Sequence, residues 1–162
     1  MQRALVIAAA ILLLDQASKW VILHAVMQPP RIIEVTGFFN IVLTHNPGVS
    51  FGMFQSDAAW QPFVLIAINL GVSIGLLVWL YRQCEGLMPY AVGLVVGGAL
   101  GNAIDRFHQP GVVDFLDFHL AGWHWPAFNV ADSAIVCGVA LLVADGLFLP
   151  GRKGNKGAGK GR

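Results

Sequence analysis

Residues 128–149 read FNVADSAIVCGVALLVADGLFL, a run of apolar side chains in which Asp132 and Asp145 are the only charges. A helix of about 20 mostly apolar residues can cross a bilayer, because all of its backbone polar groups are bonded internally. Three further segments, 4–23, 63–81 and 87–104, have the same character. The sequence therefore predicts an all-α membrane protein, a four-transmembrane-helix bundle.

The composition also points to a membrane protein. Of the 162 residues, 56% are hydrophobic and 12% are charged, about half the roughly 25% charge of a soluble domain. So apolar a chain with two cysteines argues against a disordered protein, a disulfide scaffold and a nucleic-acid-binding arm as the main activity. We expect residues 1–150 to form one domain. Residues 151–162 are expected to form a flexible basic tail near anionic lipid.

The first span has an alternative interpretation as a secretory signal peptide. Arg3 precedes the apolar run 4–14, an arrangement typical of such peptides. However, no convincing small-x-small cleavage site follows, and apolar residues resume at 20–23. We therefore predict that this segment is retained as a true span.

The positions of lysine and arginine predict the orientation. Arg3, Arg82 and the five basic residues of 151–162 all fall on one side of a four-span arrangement. The positive-inside rule assigns that side to the cytoplasm, so both termini are predicted to be cytoplasmic. Segments 24–62 and 105–127 then lie outside.

The two outer segments differ in character. In 24–62, the β-favouring stretches 32–35 and 38–43 are separated by a turn at Gly37. These features predict a small β-rich loop at the membrane surface. Segment 105–127 is predicted to be a short outer connection between the third and fourth spans.

Charged and polar side chains inside a span are costly, so each is a candidate functional residue. Asp15 and Lys19 are four residues apart on one helix face, which predicts a structural ion pair. Asn129 and Asp132 are three residues apart at the outer end of the fourth span. They could form a helix-start box with Asn129 as the N-cap. The apolar residues before them favour instead an earlier helix start and a buried, chemically active Asp132.

A second group of acids lies in the outer connection. Asp114 has apolar neighbours, and desolvation there favours its protonated form. Asp117 is expected to be a solvated surface acid, and Asp105 is expected to pair with Arg106. All three acids are predicted to lie on the same membrane face as Asp132. Two carboxylates that share a proton can activate water against an amide carbonyl, although spacing does not select the partner of Asp132.

Other chemistries are less well supported. The pattern GVSFG at 48–52 matches a serine-nucleophile motif, but the chain has no room for the α/β sheet that this motif requires. Four outer histidines lack the spacing of metal ligands, so no metal site is predicted. Cys84 is predicted to be cytoplasmic, between the second and third spans, and Cys137 lies within the fourth span, so they are not expected to form a disulfide. A small transporter and a structural subunit stay open as alternatives.

Five motifs in order resemble those of the bacterial lipoprotein signal peptidase family, also called signal peptidase II. They are Asp15 with Lys19, NPGVSFG at 46–52, GGALGNAIDR at 97–106, VVDF at 112–115 and FNVADS at 128–133. Each motif alone is weak, but all five in this order within four spans are highly specific. The resemblance extends from the first span to the end of the fourth and leaves out the basic tail.

The resemblance implies an intramembrane aspartic endopeptidase that removes signal peptides from prolipoproteins, cleaving before a diacylglyceryl-modified cysteine. It implies that Asp114 and Asp132 are catalytic, with one ionised and the other protonated. It also implies that four residues line the site and hold the substrate or support the aspartates: Asn46, Asn102, Arg106 and Asn129. Asp15, Lys19 and Asp105 are assigned structural roles.

The same resemblance implies a location and a set of partners. The expected location is the bacterial cytoplasmic membrane, with the active site near the outer leaflet. The expected partners are lipidated prolipoproteins and membrane lipid, without nucleic acid, metal or cofactor. The enzyme is expected to act as a monomer.

Overall fold

The computed structural model describes residues 1–48, 60–82 and 86–148. These residues form a helical bundle and a four-stranded antiparallel sheet. The helices are α1 (Gln2–Val21, continued by a π-helical turn, Ile22–Val26), α2 (Gln61–Arg82), α3 (Met88–His108) and α4 (Val130–Phe148). The strands are β1 (Ile33–Thr36), β2 (Phe39–Asn46), β3 (Val112–Leu120) and β4 (Trp123–His124). The basic tail, Cys84 and the central serine of GVSFG lie outside the described residues.

Three of the described helices are long and apolar enough to cross a membrane: α1 with its π-helical turn, α2 and α4. Their outward faces are apolar, as a lipid environment requires; Ile68, Val136 and Leu147 are all exposed. Helix α3 is not among the three, although the sequence predicts a span at 87–104. It packs against α1, α2 and α4. Because its neighbours cover it, α3 can carry glycines and polar side chains that lipid would not tolerate.

Glycines on α3 set the close approach of its neighbours. A Cβ atom at Gly97 would lie 2.7 Å from the backbone oxygen of Ala8 and 2.9 Å from the Ile11 Cβ, both in α1. On the opposite side, a Cβ at Gly98 would collide with the backbone oxygen of Ala131 in α4. Helix α1 therefore packs closely against α3 within the bundle.

We expect Gly97→Ala to destabilise the protein by about 1–3 kcal/mol, because the added methyl group overpacks the α1–α3 contact. The matched control is Gly71→Ala in α2, where a Cβ meets nothing within 4 Å. That change should leave stability unchanged or raise it slightly through helix propensity. Thermal unfolding in detergent measures both, and equal midpoints for the two variants would contradict the packing described.

The sheet joins segments 24–62 and 105–127, the two that the sequence predicts to be outer. Strand β2 pairs antiparallel with β3, so that Asn46 lies opposite Val112 and Thr44 lies opposite Asp114. The strands predicted in 24–62 are present, but the interpretation of 105–127 as a mere connection was wrong, and the all-α class is too narrow. Residues Val112–Phe115 are all buried. A strand buried on both faces lacks the polar and apolar alternation that identifies strands in a sequence.

Candidate active site

Strand β3 and helix α4 bring Asp114 and Asp132 to one cavity of about 500 Å³. Asp114 lies near the start of β3 and is only 2% exposed. Asp132 lies in the first turn of α4. Asn46 at the end of β2 lines the same cavity, as do Asn102 and Arg106 of α3. Residues from both outer segments and from two helices therefore converge on the two aspartates.

Asn129 connects the two aspartates. Its side-chain Nδ2 donates to Asp114 Oδ1 at 2.7 Å. Its Oδ1 accepts from the backbone N–H of Asp132 at 2.9 Å, and its own backbone N–H donates to Asp132 Oδ2 at 3.3 Å. This is the helix-start box, and α4 begins at Val130; the expectation of an earlier start was wrong. Asp132 therefore takes part in the helix-start box and also lines the cavity.

Asn102 orients the other oxygen of Asp132. Its Nδ2 donates to Asp132 Oδ1 at 2.8 Å. Its Oδ1 accepts from Lys19 Nζ at 3.2 Å and from Asn129 Nδ2 at 3.3 Å. Because Lys19 can only donate, it fixes which end of the Asn102 amide faces Asp132.

Lys19 stands at the centre of a buried ionic network behind the cavity. Its Nζ lies 2.8 Å from Asp15 Oδ2, which is the ion pair expected from the sequence, and 2.8 Å from Asp105 Oδ2. The expected partner of Asp105 was Arg106, and this was wrong. Asp105 Oδ2 also accepts from the backbone N–H of Val113 at 3.0 Å. The network therefore links α1, α3 and β3.

Asp15 also caps the first turn of α4. Its Oδ1 accepts from the backbone N–H of Ala131 at 2.9 Å. A carboxylate at a helix N-terminus satisfies an unpaired donor and interacts favourably with the helix dipole. The side chain of Gln16, which the sequence interpretation missed, donates to Asp105 Oδ1 at 3.0 Å. Gln16 could have been identified by the rule that identified Asp15, because it is a polar residue within an apolar span.

Arg106 forms the wall of the cavity next to Asn46. Its Nη1 donates to the backbone oxygen of Asn102 at 3.0 Å, and its Nη2 donates to that of Gly48 at 2.8 Å. Its Nε is buried and has no hydrogen-bond partner among the described residues. The guanidinium is thus held by backbone atoms and is not engaged by a carboxylate within ion-pair distance in the described part of the chain.

Asp117 is not the solvated acid that the sequence predicted. It is buried, and its carboxylate contacts His124 Nδ1 at 2.9 Å and accepts from Asn40 Nδ2 at 3.0 Å. Burial alone would raise the pKa of Asp117, but these two hydrogen bonds and the positive field of the histidines outweigh it and lower the pKa. Asp117 therefore stays ionised and anchors the β3–β4 hairpin.

Asp114 has the opposite environment. Burial first, and the negative charge of Asp132 second, raise its pKa to about 7, while hydrogen bonds from Asn46 and Asn129 oppose the shift. Two neighbouring carboxyl groups in a poorly solvated site favour a single shared proton. Near neutral pH the cavity thus offers a proton donor beside a second carboxyl group. In the described residues, no three side chains of histidine, cysteine or acid are grouped to hold a metal ion.

Comparisons with known proteins agree on one family. The model of the family described as Signal peptidase (SPase) II matches residues 7–148. The lipoprotein signal peptidase of Polynucleobacter necessarius is 45% identical over 143 residues, covering 87% of this chain and 86% of that protein. The corresponding protein of Beijerinckia indica is 42% identical over 135 residues, covering 83% and 81%. A solved bacterial membrane enzyme, 30% identical, superposes with a TM-score of 0.82 and covers 96% of this chain and 94% of its own.

Proposed function

The chain belongs to the signal peptidase II family and is a peptidase that removes signal peptides from prolipoproteins, and from this premise we propose that Asp114 and Asp132 are its catalytic pair. The observation that carries the proposal is the linkage of both carboxyl groups through Asn129 at one cavity. Two aspartates held in this way supply the base and the acid that hydrolysis of a peptide bond requires.

We infer different roles for the two aspartates. Asp132 lies at the positive end of α4, and its two oxygens accept from Asn102 Nδ2 and the Asn129 backbone N–H. Both features stabilise a carboxylate. Asp132 is therefore the ionised base that takes a proton from water. Asp114, with its raised pKa, is the protonated partner that donates to the oxygen of the scissile carbonyl.

Over one turnover, both aspartates return to their starting protonation states. Attack of water, with one proton passing to Asp132 and another from Asp114 to the carbonyl oxygen, gives a neutral gem-diol. Asp132 then returns its proton to the leaving nitrogen as the C–N bond breaks, and Asp114 regains a proton from the diol. No covalent bond to the enzyme forms. We infer that Arg106, which lines the cavity, helps to hold the substrate backbone.

The apolar part of the cavity is suited to a lipidated substrate. It continues along α4 past Ile135, Val136 and Cys137, about one turn beyond Asp132. We infer that the signal peptide and the diacylglyceryl-modified cysteine bind there from the membrane, with cleavage just before that cysteine. We further propose that α3 is a fourth span, that both termini are cytoplasmic, that the site lies near the outer leaflet of the cytoplasmic membrane, and that one copy suffices for activity.

The raised pKa of Asp114 predicts the pH dependence of cleavage. We expect kcat/KM, which reports the free enzyme, to fall about tenfold per pH unit above pH 7, because Asp114 then loses the proton that it must donate. The assay is cleavage of a lipidated precursor in liposomes between pH 5 and pH 9. A flat profile across pH 7 would contradict the assignment of the proton to Asp114.

The raised pKa of Asp114 also predicts how the stability of the protein depends on pH. Between the usual carboxyl pKa of 3.8 and about 7, folded Asp114 keeps a proton that the unfolded chain has released. The unfolded state therefore binds fewer protons, so this residue lowers the free energy of unfolding as pH rises through that window. Asp114→Asn should remove this contribution, so its unfolding midpoint should fall less between pH 4 and pH 7 than that of the unmodified protein.

A further inference from the structure

Asn69 is a polar residue of the apolar helix α2, and it lines the active-site cavity. It lies about 12 Å along the helix axis from Gln61, the first residue of α2. Helix α2 is one of the three helices that are apolar enough to cross a membrane. A carboxamide in such a helix is costly unless it finds a hydrogen-bonding partner. The cleavage chemistry proposed for the two aspartates does not use this side chain.

The side chain of Asn69 makes no hydrogen bond within the part of the chain that the structure describes. Ser73 Oγ donates to the backbone oxygen of Asn69 at 2.7 Å and does not involve the side-chain amide. Asn69 is half-buried, and neither of its side-chain polar atoms is enclosed without a partner. A molecule bound in the cavity can therefore reach this amide.

The other amide and hydroxyl side chains among the described residues that line the cavity already have partners. Asn102 uses both ends of its amide. Asn46 hydrogen-bonds to Asp114 and accepts from a backbone N–H at 3.1 Å. The hydroxyl of Ser133 donates to a backbone oxygen at 3.0 Å. Within this set, Asn69 is the side chain whose donors and acceptors are all left for a ligand.

The backbone of a signal peptide supplies the groups that such an amide can bind. The peptide must be extended next to the scissile bond, because the carbonyls of a helix are bonded within the helix. An extended segment carries unpaired N–H and C=O groups, which are costly where water is scarce. An asparagine amide donates and accepts, and so matches both kinds of group. The ester carbonyls of a diacylglyceryl group can only accept, so they match half of this capacity.

We propose that Asn69 binds the backbone of the signal peptide just before the lipidated cysteine and holds this segment extended for cleavage. The inference rests on the proposed function, because it assumes that Asp114 and Asp132 cleave a peptide in this cavity. Asn69 transfers no proton. It replaces hydrogen bonds that the peptide loses when it leaves the helical conformation, at a level of the cavity where Ile135 and Val136 offer none from their side chains.

The test is a double-mutant cycle between enzyme and substrate, with kcat/KM measured in liposomes. Asn69→Leu removes the amide from the enzyme. In the substrate, each of the last few residues before the cysteine in turn has its backbone N–H replaced by an ester oxygen, with the scissile amide kept. We expect the unmodified enzyme to lose about tenfold at one of these positions, as one or two net hydrogen bonds would give. Asn69→Leu should be about tenfold slower on the parent substrate and lose nothing more at that position.

Two enzyme variants and one further substrate serve as controls. Ile68→Ala changes an exposed neighbour on α2 that does not line the cavity, and it should cleave at the normal rate and respond normally to the ester. Asn69→Gln keeps an amide and should recover part of the lost rate. A substrate whose lipid esters are replaced by ethers should give the same ratio between the unmodified enzyme and Asn69→Leu as the parent substrate does.

The possible outcomes separate this inference from the proposed function. Equal rates for Asn69→Leu and the unmodified enzyme would overturn the role of Asn69, and so would losses from the variant and the ester that multiply at every position. A ratio that collapses with the ether lipid would place Asn69 on the diacylglyceryl group and overturn its binding to the peptide. Failure of the unmodified enzyme to cleave any lipidated precursor would overturn the proposed function itself.

Discussion

Asp114→Asn and Asp132→Asn are each expected to reduce kcat for a lipidated prolipoprotein by about 10⁴-fold or more. Asparagine has nearly the same shape as aspartate but can neither take a proton from water nor deliver one to the substrate. The losses should appear in kcat, with KM nearly unchanged, because both variants keep Asn46 and Arg106, the residues expected to hold the substrate.

The measurement is cleavage in liposomes over a range of substrate concentrations, followed by the mass of the released products. Glu34→Gln provides the matched control, because Glu34 is an exposed acid of β1 that does not line the active-site cavity. It should cleave at the normal rate. Turnover within tenfold of normal in either aspartate variant would remove that residue from the chemistry.

Lys19→Met is expected to destabilise the protein by about 3–5 kcal/mol, the cost of leaving buried charges without their partner. The ammonium of Lys19 is the only cation within ion-pair distance of Asp15 and Asp105 among the described residues. Its loss would also release the Asn102 amide that orients Asp132. Activity should therefore fall together with the unfolding midpoint in detergent.

A matched control and a rescue separate this effect from a general loss of charge. Arg82→Met removes an exposed cation at the end of α2 and should change the midpoint little. Adding Asp15→Asn and Asp105→Asn to Lys19→Met removes the unpaired charges and should recover part of the lost stability. A Lys19→Met protein as stable as the Arg82→Met protein would contradict the ionic network.

The helices were predictable from the sequence because apolar length is a strong constraint in a membrane. The sheet was only half predictable. Asn46 and Val112 pair across more than sixty residues of sequence, and nothing local in either segment identifies the other as its partner. The burial of both faces of β3 also removed the alternation that would have marked it as a strand.

The predicted ion pair between Asp105 and Arg106, which are adjacent in sequence, was wrong. Asp105 and Arg106 follow each other on α3, and consecutive side chains on a helix point about 100° apart. Asp105 accordingly reaches Lys19 on α1, whereas Arg106 reaches the backbone of Gly48. Sequence neighbours on a helix are poor ion-pair partners, and the spacing of four between Asp15 and Lys19 was the better guide.

The choice between Asp114 and Asp117 came from the family resemblance and not from spacing. Strand geometry supplies the physical reason, because residues three apart on a strand point to opposite faces. Asp114 lines the active-site cavity, whereas Asp117 does not line it and contacts His124 instead. Recognition of β3 as a strand would have separated their roles from the sequence alone.

The most direct test of the central claim compares the double variant Asp114→Asn, Asp132→Asn with the two single variants on a lipidated prolipoprotein in liposomes. Two carboxyl groups that share one proton and act as a unit lose nearly everything when either is removed. We therefore predict that the double variant is no more than about tenfold slower than the slower single variant. Losses that multiply, or substantial cleavage by either single variant, would contradict a catalytic pair formed by Asp114 and Asp132.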